Sequence, residues 1–236
     1  MFDWFGKKRP QPETSPGGSV IHRYPDAEWK PSRIGATDQS TANFAEAREE
    51  VYAKFFGKAA NVSHEIIPLI PHIDVYTYER GQNGRDFCTL VTGGMSDLEM
   101  IIPAGAKAPR RAELIFYCSG PNQEYIKTMR WLAHFPHDQK TWIGSGHTIP
   151  NGTPPEPFWG SSALDTILLL RPIVTPDVTL PDELILGGEP VHFLWVVPLT
   201  TPECNLKLAE GVNTIIDLFK QNRHPHVFDP SRTSYV

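Results

Sequence analysis

The sequence predicts an α+β domain: a mixed, largely antiparallel sheet with helices packed on it. Three observations lead there. Apolar stripes at helical spacing flank a block of strand-like runs instead of alternating with them regularly. The runs between Ile73 and Tyr117 are joined by connections too short for a parallel crossover, which favours an antiparallel meander. Two later runs, Thr166 to Leu170 and His192 to Val197, are almost continuously apolar, as in central strands covered on both faces.

Residues 1–40 are rich in Pro, Gly and Ser and read as an extended arm, followed by one domain over residues 41–236. Ile21, Tyr24 and Trp29 suggest that the second half of the arm lies against the domain. Phe44, Ala47, Val51 and Phe55 then mark one face of a helix over 43–57, with Glu46, Glu49, Glu50 and Lys54 toward water. Asn43 and Glu46 form a plausible capping pair, and Gly57 supplies the stop. Strands are expected at Ile73 to Tyr78, Phe87 to Thr92, Leu98 to Ile102 and Ala112 to Tyr117, with a turn at Gly81 to Gly84. A second helix is expected from Asn122 to His134, burying Ile126, Met129 and Ala133 and ending before Pro136. A third opens at Thr200 to Glu203, with Leu208, Val212, Ile215 and Phe219 as its buried stripe.

Composition narrows the function. The 236 residues carry a net charge of −5 and no basic stripe that would neutralise phosphates, so nucleic acid is not an expected partner. Cys88, Cys118 and Cys204 are scattered and odd in number, which fits free thiols in a reducing, cytoplasmic setting. No apolar run approaches the roughly 20 residues of a membrane span. The start lacks a secretory signal; its Lys7 to Arg9 cluster reads as a solubilising tail, and Phe2, Trp4 and Phe5 read as a short start that packs weakly or stays mobile, in preference to one that touches a membrane surface or a partner.

The most informative segment is the long connection from Pro136 to Ala163. Structureless loops beyond about 12–15 residues are uncommon in compact domains and are usually functional or disordered. Trp142, Ile143, Ile149, Phe158 and Trp159 are too costly to leave in water, so the segment is expected to be ordered and to form a recognition surface. Its candidate partner-binding residues are His137, Trp142, His147, Asn151 and Glu156, with Ser96 and Asp97 of the Gly93 to Asp97 turn beside them.

Chemical alternatives fare less well. His134, His137 and His147, with Asp138 or Glu156, fit no spacing typical of a metal site, so no metal or other cofactor is expected. Gly93-Gly-Met-Ser-Asp97 resembles a nucleophile elbow but lacks G-x-S-x-G, and a capping role for Ser96 or Asp97 is favoured over a triad with His147. Asp74 and Glu79 lie on opposite faces of a strand, and Gly144-Ser-Gly146 lacks the spacing of a phosphate loop.

Several segments in order carry a family resemblance: His72-Ile-Asp-Val75, Thr89 to Asp97, Arg111-Ala-Glu-Leu114, Trp131 to His137, Thr141-Trp142, Gly146-His-Thr-Ile-Pro-Asn-Gly152 and Val196-Val-Pro-Leu199. Over roughly residues 43–232 the chain resembles the Suppressor of fused domain in its bacterial, single-domain form. The resemblance implies helices around a mixed sheet, no established catalytic residues, and binding to another protein. Animal members restrain a transcription factor by holding its peptide between this domain and a second one, for which this chain leaves no room. Bacterial members have been proposed to be immunity proteins, which would make the partner a toxin. The expected function is therefore a non-catalytic protein-binding domain. The alternative is a hydrolase-like enzyme using His147, Asn151 and Glu156 beside the Gly94–Asp97 turn.

Overall fold

The computed structural model describes residues 13–24, 39–67, 69–159 and 163–236. The expectations for Phe2, Trp4, Phe5, the Lys7 to Arg9 cluster and Trp29 lie outside them. A hairpin of β1 (Glu13–Thr14) and β2 (Val20–Ile21) precedes α1 (Gln39–Phe56). The strands β3 (Asn61–Ser63), β4 (Asp74–Tyr78), β5 (Cys88–Gly93) and β6 (Arg111–Cys118) lead to α2 (Gln123–Asp138). Then come β7 (Thr148–Pro150), β8 (Leu164–Leu170), the short α3 (Leu180–Glu183), β9 (Ile185–Leu186), β10 (Glu189–Thr200), α4 (Thr201–Glu210) and α5 (Val212–Gln221).

The main sheet runs β3-β4-β5-β6-β10-β8-β7, with β9 paired to β10. Its first four strands form the expected antiparallel meander. The sheet is mixed because β10 runs parallel to β6 and antiparallel to β8. The continuous apolar runs are indeed interior strands, with every residue of β8 buried and β10 buried from Phe193 to Thr200. Alternation divides each strand between two cores. Val91, Ile115, Tyr117, Phe193 and Trp195 meet Tyr52, Phe55 and Phe56 of α1 and Ile215 and Phe219 of α5. Leu90, Leu114, Phe116, Leu194 and Val196 meet Ile126, Met129, Leu132 and Ala133 of α2.

Five local expectations are corrected. Helix α1 begins at Gln39, so Asn43 lies inside it and is not its cap. Leu98 to Ile102 is not a strand: both edges of β6 are already paired, with β5 and β10, so no ladder is left for it, and Ile101 stays 59% exposed. Pro136 does not stop α2 but sits in its last turn, where only one backbone bond is lost and Thr141 N–H reaches the Pro136 carbonyl at 2.8 Å. The third helix is two, broken at Gly211; it opens at Thr200 as expected, where the structure adds a capping box between Thr200 and Glu203. The long connection contains an edge strand. Gly146 N–H donates to the Leu169 carbonyl, Leu169 N–H to the His147 carbonyl and Asn151 N–H to the Asp165 carbonyl, extending the β7–β8 ladder in both directions.

Three buried carboxylates fasten the elements to one another, each facing an arginine. Asp177, fully buried after β8, receives Arg85 in a two-pronged pair, with Nη1 2.8 Å from Oδ2, while Tyr117 Oη donates to the same oxygen at 2.6 Å. Glu203 in the first turn of α4 receives Arg232 at 2.6 and 2.8 Å, tying down the C-terminal tail. Burial would raise the Glu203 pKa, but Arg232 together with the Thr200 and Tyr235 backbone N–H groups outweighs it and holds the carboxyl below its ordinary value. The third, Glu113, lies under the turn after β5.

Candidate functional site

The edge segment from the end of α2 to residue 158 alternates buried residues, Ile143, Ile149 and Phe158, with exposed and half-buried ones. Trp142 is half-buried and packs edge-on against the His147 ring, with centroids 4.3 Å apart. Asn151 and Glu156 close a tight loop: Glu156 N–H donates to the Asn151 carbonyl at 2.8 Å, and Asn151 Nδ2 to the Glu156 carbonyl at 2.7 Å. That leaves the Glu156 side chain exposed. Phe158 and Trp159 are anchors, not surface. Phe158 is buried, and Trp159 packs on Phe116 and Phe228 while donating Nε1–H to Thr128 Oγ1 at 3.1 Å. The arm reaches this surface too, as Tyr24 packs edge-on against Phe135 and donates its hydroxyl to Thr141 Oγ1 at 2.9 Å.

Ser96 and Asp97 belong to a different construction. Glu113 is fully buried, and its Oε1 accepts from Gly94 N–H (3.0 Å), Ser96 N–H (3.0 Å) and Ser96 Oγ (2.6 Å); its Oε2 accepts from Thr92 Oγ1 (2.7 Å). Arg48 of α1 sits 2.5 Å from Asp97 Oδ1 and 4.0 Å from Glu113 Oε1. Burial pulls the Arg48 pKa down, but Glu113 and Asp97 raise it well above its ordinary value, so the guanidinium stays charged. Burial raises the Asp97 pKa against the lowering pull of Arg48. Ser96 is thereby corrected as a contact residue: its hydroxyl is committed to Glu113 beneath the surface. Gly94 makes the turn possible. Its φ of +113° belongs to glycine, and a Cβ there would lie 1.9 Å from the His72 carbonyl oxygen. Gly94→Ala should therefore lower stability by about 1–3 kcal/mol or more, read from the urea midpoint.

Helix α2 presents a polar seam at i, i+4 and i+7 that sequence reading did not identify. Arg130 donates to the Ser63 carbonyl (2.5 Å) and the Ile73 carbonyl (3.2 Å), His134 Nε2 lies 2.7 Å from Glu65 Oε1, and His137 Nε2 donates to the Met95 carbonyl (3.0 Å). The seam pins the two connections flanking β4 and β5. Next to it, His64 and His72 converge on Asp74 across the β3–β4 connection. A buried lysine was equally invisible: Lys207 lies beneath β7 with Nζ 3.4 Å from Thr148 Oγ1, and burial lowers its pKa.

Burial pushes His137 and His224 down to about 4, and burial together with the Lys207 charge does the same to His147. These rings are neutral in the native fold, whereas in the unfolded chain they protonate near 6.5. The unfolded state thus binds more protons in this window, so stability is full above about pH 6.5 and declines as pH falls toward 4. Thermal unfolding from about pH 7 to about pH 4 should show that decline, and His137→Gln should flatten it. A midpoint insensitive to pH across this window would contradict the burial of these rings.

The structure does not bring together the residues that the hydrolase alternative requires. His147 faces Trp142, Glu156 is turned outward beside Asn151, and Ser96 faces Glu113. The bond that joins the segment to the Gly94–Asp97 turn comes from His137 and reaches a backbone carbonyl. Nor do His134, His137 and His147 converge, since each is engaged with a different group.

The fold is one already seen in solved Suppressor of fused structures. A putative homolog of that protein from Neisseria gonorrhoeae superposes with a TM-score of 0.64 at 16% identity, covering 83% of this chain and 98% of that one. A chain of the Sufu–Fu complex gives 0.53 at 12% identity, covering 83% and 92%. Drosophila Suppressor of Fused gives 0.50 at 11%, covering 85% of this chain and 54% of that one. No curated protein matches in sequence. Residues 70–233 match the family model described as Suppressor of fused protein (SUFU), and the chain belongs to that family. Among the described residues, no helix is long and apolar enough to cross a membrane.

Proposed function

We propose that this protein is a non-catalytic, protein-binding member of the Suppressor of fused family, and that it meets its partner with the surface of residues 139–158. The observation that carries the reading is the ordered edge segment itself. Trp142 is half-buried and propped on His147, and further along the same segment the Asn151–Glu156 turn is closed by two hydrogen bonds. Half-buried tryptophans on rigid backbone are favoured anchors of protein interfaces, because they bring large contact area with little entropy to lose. A chain of the Sufu–Fu complex, a protein–protein assembly by name, shares the fold and lends the reading support.

The finer proposal is an immunity-type role, in which the partner is a toxin made by the same host and the protein works in its cytoplasm. Affinity capture from the native host tests it. The expected result is one protein recovered in stoichiometric amount whose toxicity in cells is relieved by co-expression of this chain. Recovery of no partner above background, or a partner whose activity this chain leaves unchanged, would count against the immunity role.

A further inference from the structure

We propose that His64, His72 and Asp74 form a binding site for a zinc-class divalent transition metal at the β3–β4 end of the sheet. Among the described residues, these three side chains each offer a donor atom, and the three donors all lie within 4.8 Å of one another. His64 Nδ1 is 3.0 Å from Asp74 Oδ2, and His72 Nε2 is 3.1 Å from Asp74 Oδ1. Donors held roughly 2.0–2.1 Å from a tetrahedral zinc lie about 3.4 Å apart, so both histidine–carboxylate distances already fit within a few tenths of an ångström, and the exposed His64 ring supplies whatever closure of the 4.8 Å donor span the ion requires. Two imidazoles with one carboxylate suit zinc, nickel or cobalt and do not suit magnesium or calcium, which prefer all-oxygen sets.

The groups behind the ligands give the second, independent argument. The far nitrogen of His72, Nδ1, faces Glu65 Oε2 at 4.0 Å, longer than a hydrogen bond but on the side where a carboxylate orients a metal-binding ring once the two close up. Glu65 is itself nearly buried and fixed. It accepts from Ile73 N–H at 3.3 Å and lies against His134, while its own N–H donates to Asp74 Oδ1 at 3.3 Å. Arg130 holds the backbone on both sides of the site through the Ser63 and Ile73 carbonyls. The ligand on the outside is His64, whose side chain is 70% exposed. Three protein ligands with solvent at the fourth position form the pattern of an exchangeable site, open to water or to a donor from a partner. This inference does not depend on the protein-binding reading.

The test uses the full, tag-free chain stripped of metal, titrated with Zn2+ by calorimetry and with Co2+ by visible absorption. One ion per chain is expected, with the d–d bands of four-coordinate Co2+, displaced by Zn2+ and unaffected by excess Mg2+. His64→Gln, at an exposed position, should keep the thermal midpoint of the parent protein without metal and weaken binding by more than about tenfold. Glu65→Gln, which removes the charge behind His72, should weaken it by about 10–100-fold. Failure to bind either ion, or an affinity equal to that of the parent protein in both His64→Gln and Asp74→Asn, would overturn the assignment.

Discussion

Asp177→Ala should destabilise the fold by about 3–5 kcal/mol, a large fraction of the stability of an ordinary domain. The substitution strands the Arg85 guanidinium in a buried pocket against the Phe56 ring, 4.9 Å away, and removes the acceptor of the Tyr117 hydroxyl. Arg85 Nε already lacks a partner, and without Asp177 the guanidinium keeps only a long bond to the Phe55 carbonyl, 3.4 Å from Nη2, which cannot neutralise its charge. The cost comes from the abandoned charge rather than from any large net strength of the pair, and this gives a sharper test. The double variant Arg85→Met with Asp177→Asn leaves no buried charge and should lose less than Asp177→Ala alone. By contrast, Lys54–Glu183 and Lys220–Asp217 are exposed pairs, and breaking either should cost less than about 1 kcal/mol. Urea denaturation measures all of these. A loss below about 1 kcal/mol for Asp177→Ala would show that the clamp between β5, β6 and the segment after β8 is not what holds them.

Trp142→Ala should weaken the partner complex by about 2 kcal/mol or more, roughly 30-fold in Kd, while leaving the fold intact. The ring is only half-buried, resting on His147 and on the rim of the α2-side core, so the domain loses less than it would on removal of a fully buried tryptophan. His147→Ala should weaken binding too, indirectly, because it removes the support that fixes the Trp142 ring. The two effects should therefore not add, and a double-mutant cycle would read a coupling of about 0.5 kcal/mol or more. Full additivity would mean that each residue meets the partner separately. An unchanged Kd for Trp142→Ala would place the interface elsewhere.

The parts of this fold that were legible in the sequence are those governed by local spacing. The apolar period of α1, the inward residues Ile126, Met129 and Ala133, the turn at Gly81 to Gly84 and the buried runs of β8 and β10 all depend on neighbours close in the chain. What was not legible depends on distant partners. Arg48 lies on the buried side of α1, although a charge there looks like a solvated position until Glu113 and Asp97 are brought to it. Glu113 in mid-strand, Asp177 and Lys207 carry the same lesson: a buried charge is a tertiary event. The false strand at Leu98 to Ile102 has the same origin, because strand identity requires a free edge as well as an apolar run.

The candidate site divides along the same line. The aromatic content of the Pro136 to Ala163 segment correctly indicated order over its described residues up to Trp159, and the pairing of β7 with β8 explains it. The sequence could not distinguish residues that form the surface from those that hold it up. Trp142, Asn151 and Glu156 present side chains or a rigid turn outward, whereas Phe158 and Trp159 anchor the segment and Ser96 braces the turn behind it. The Cys88 and Cys118 pair is another such case. Distant in sequence, they face each other across β5 and β6 as free thiols.

Hydrogen exchange on the captured complex, compared with the free protein, tests the central claim most directly. Protection of backbone amides within residues 139–158, with the β3–β4 edge unchanged, is the predicted result. Protection confined to other elements, with exchange in residues 139–158 the same bound and free, would contradict it.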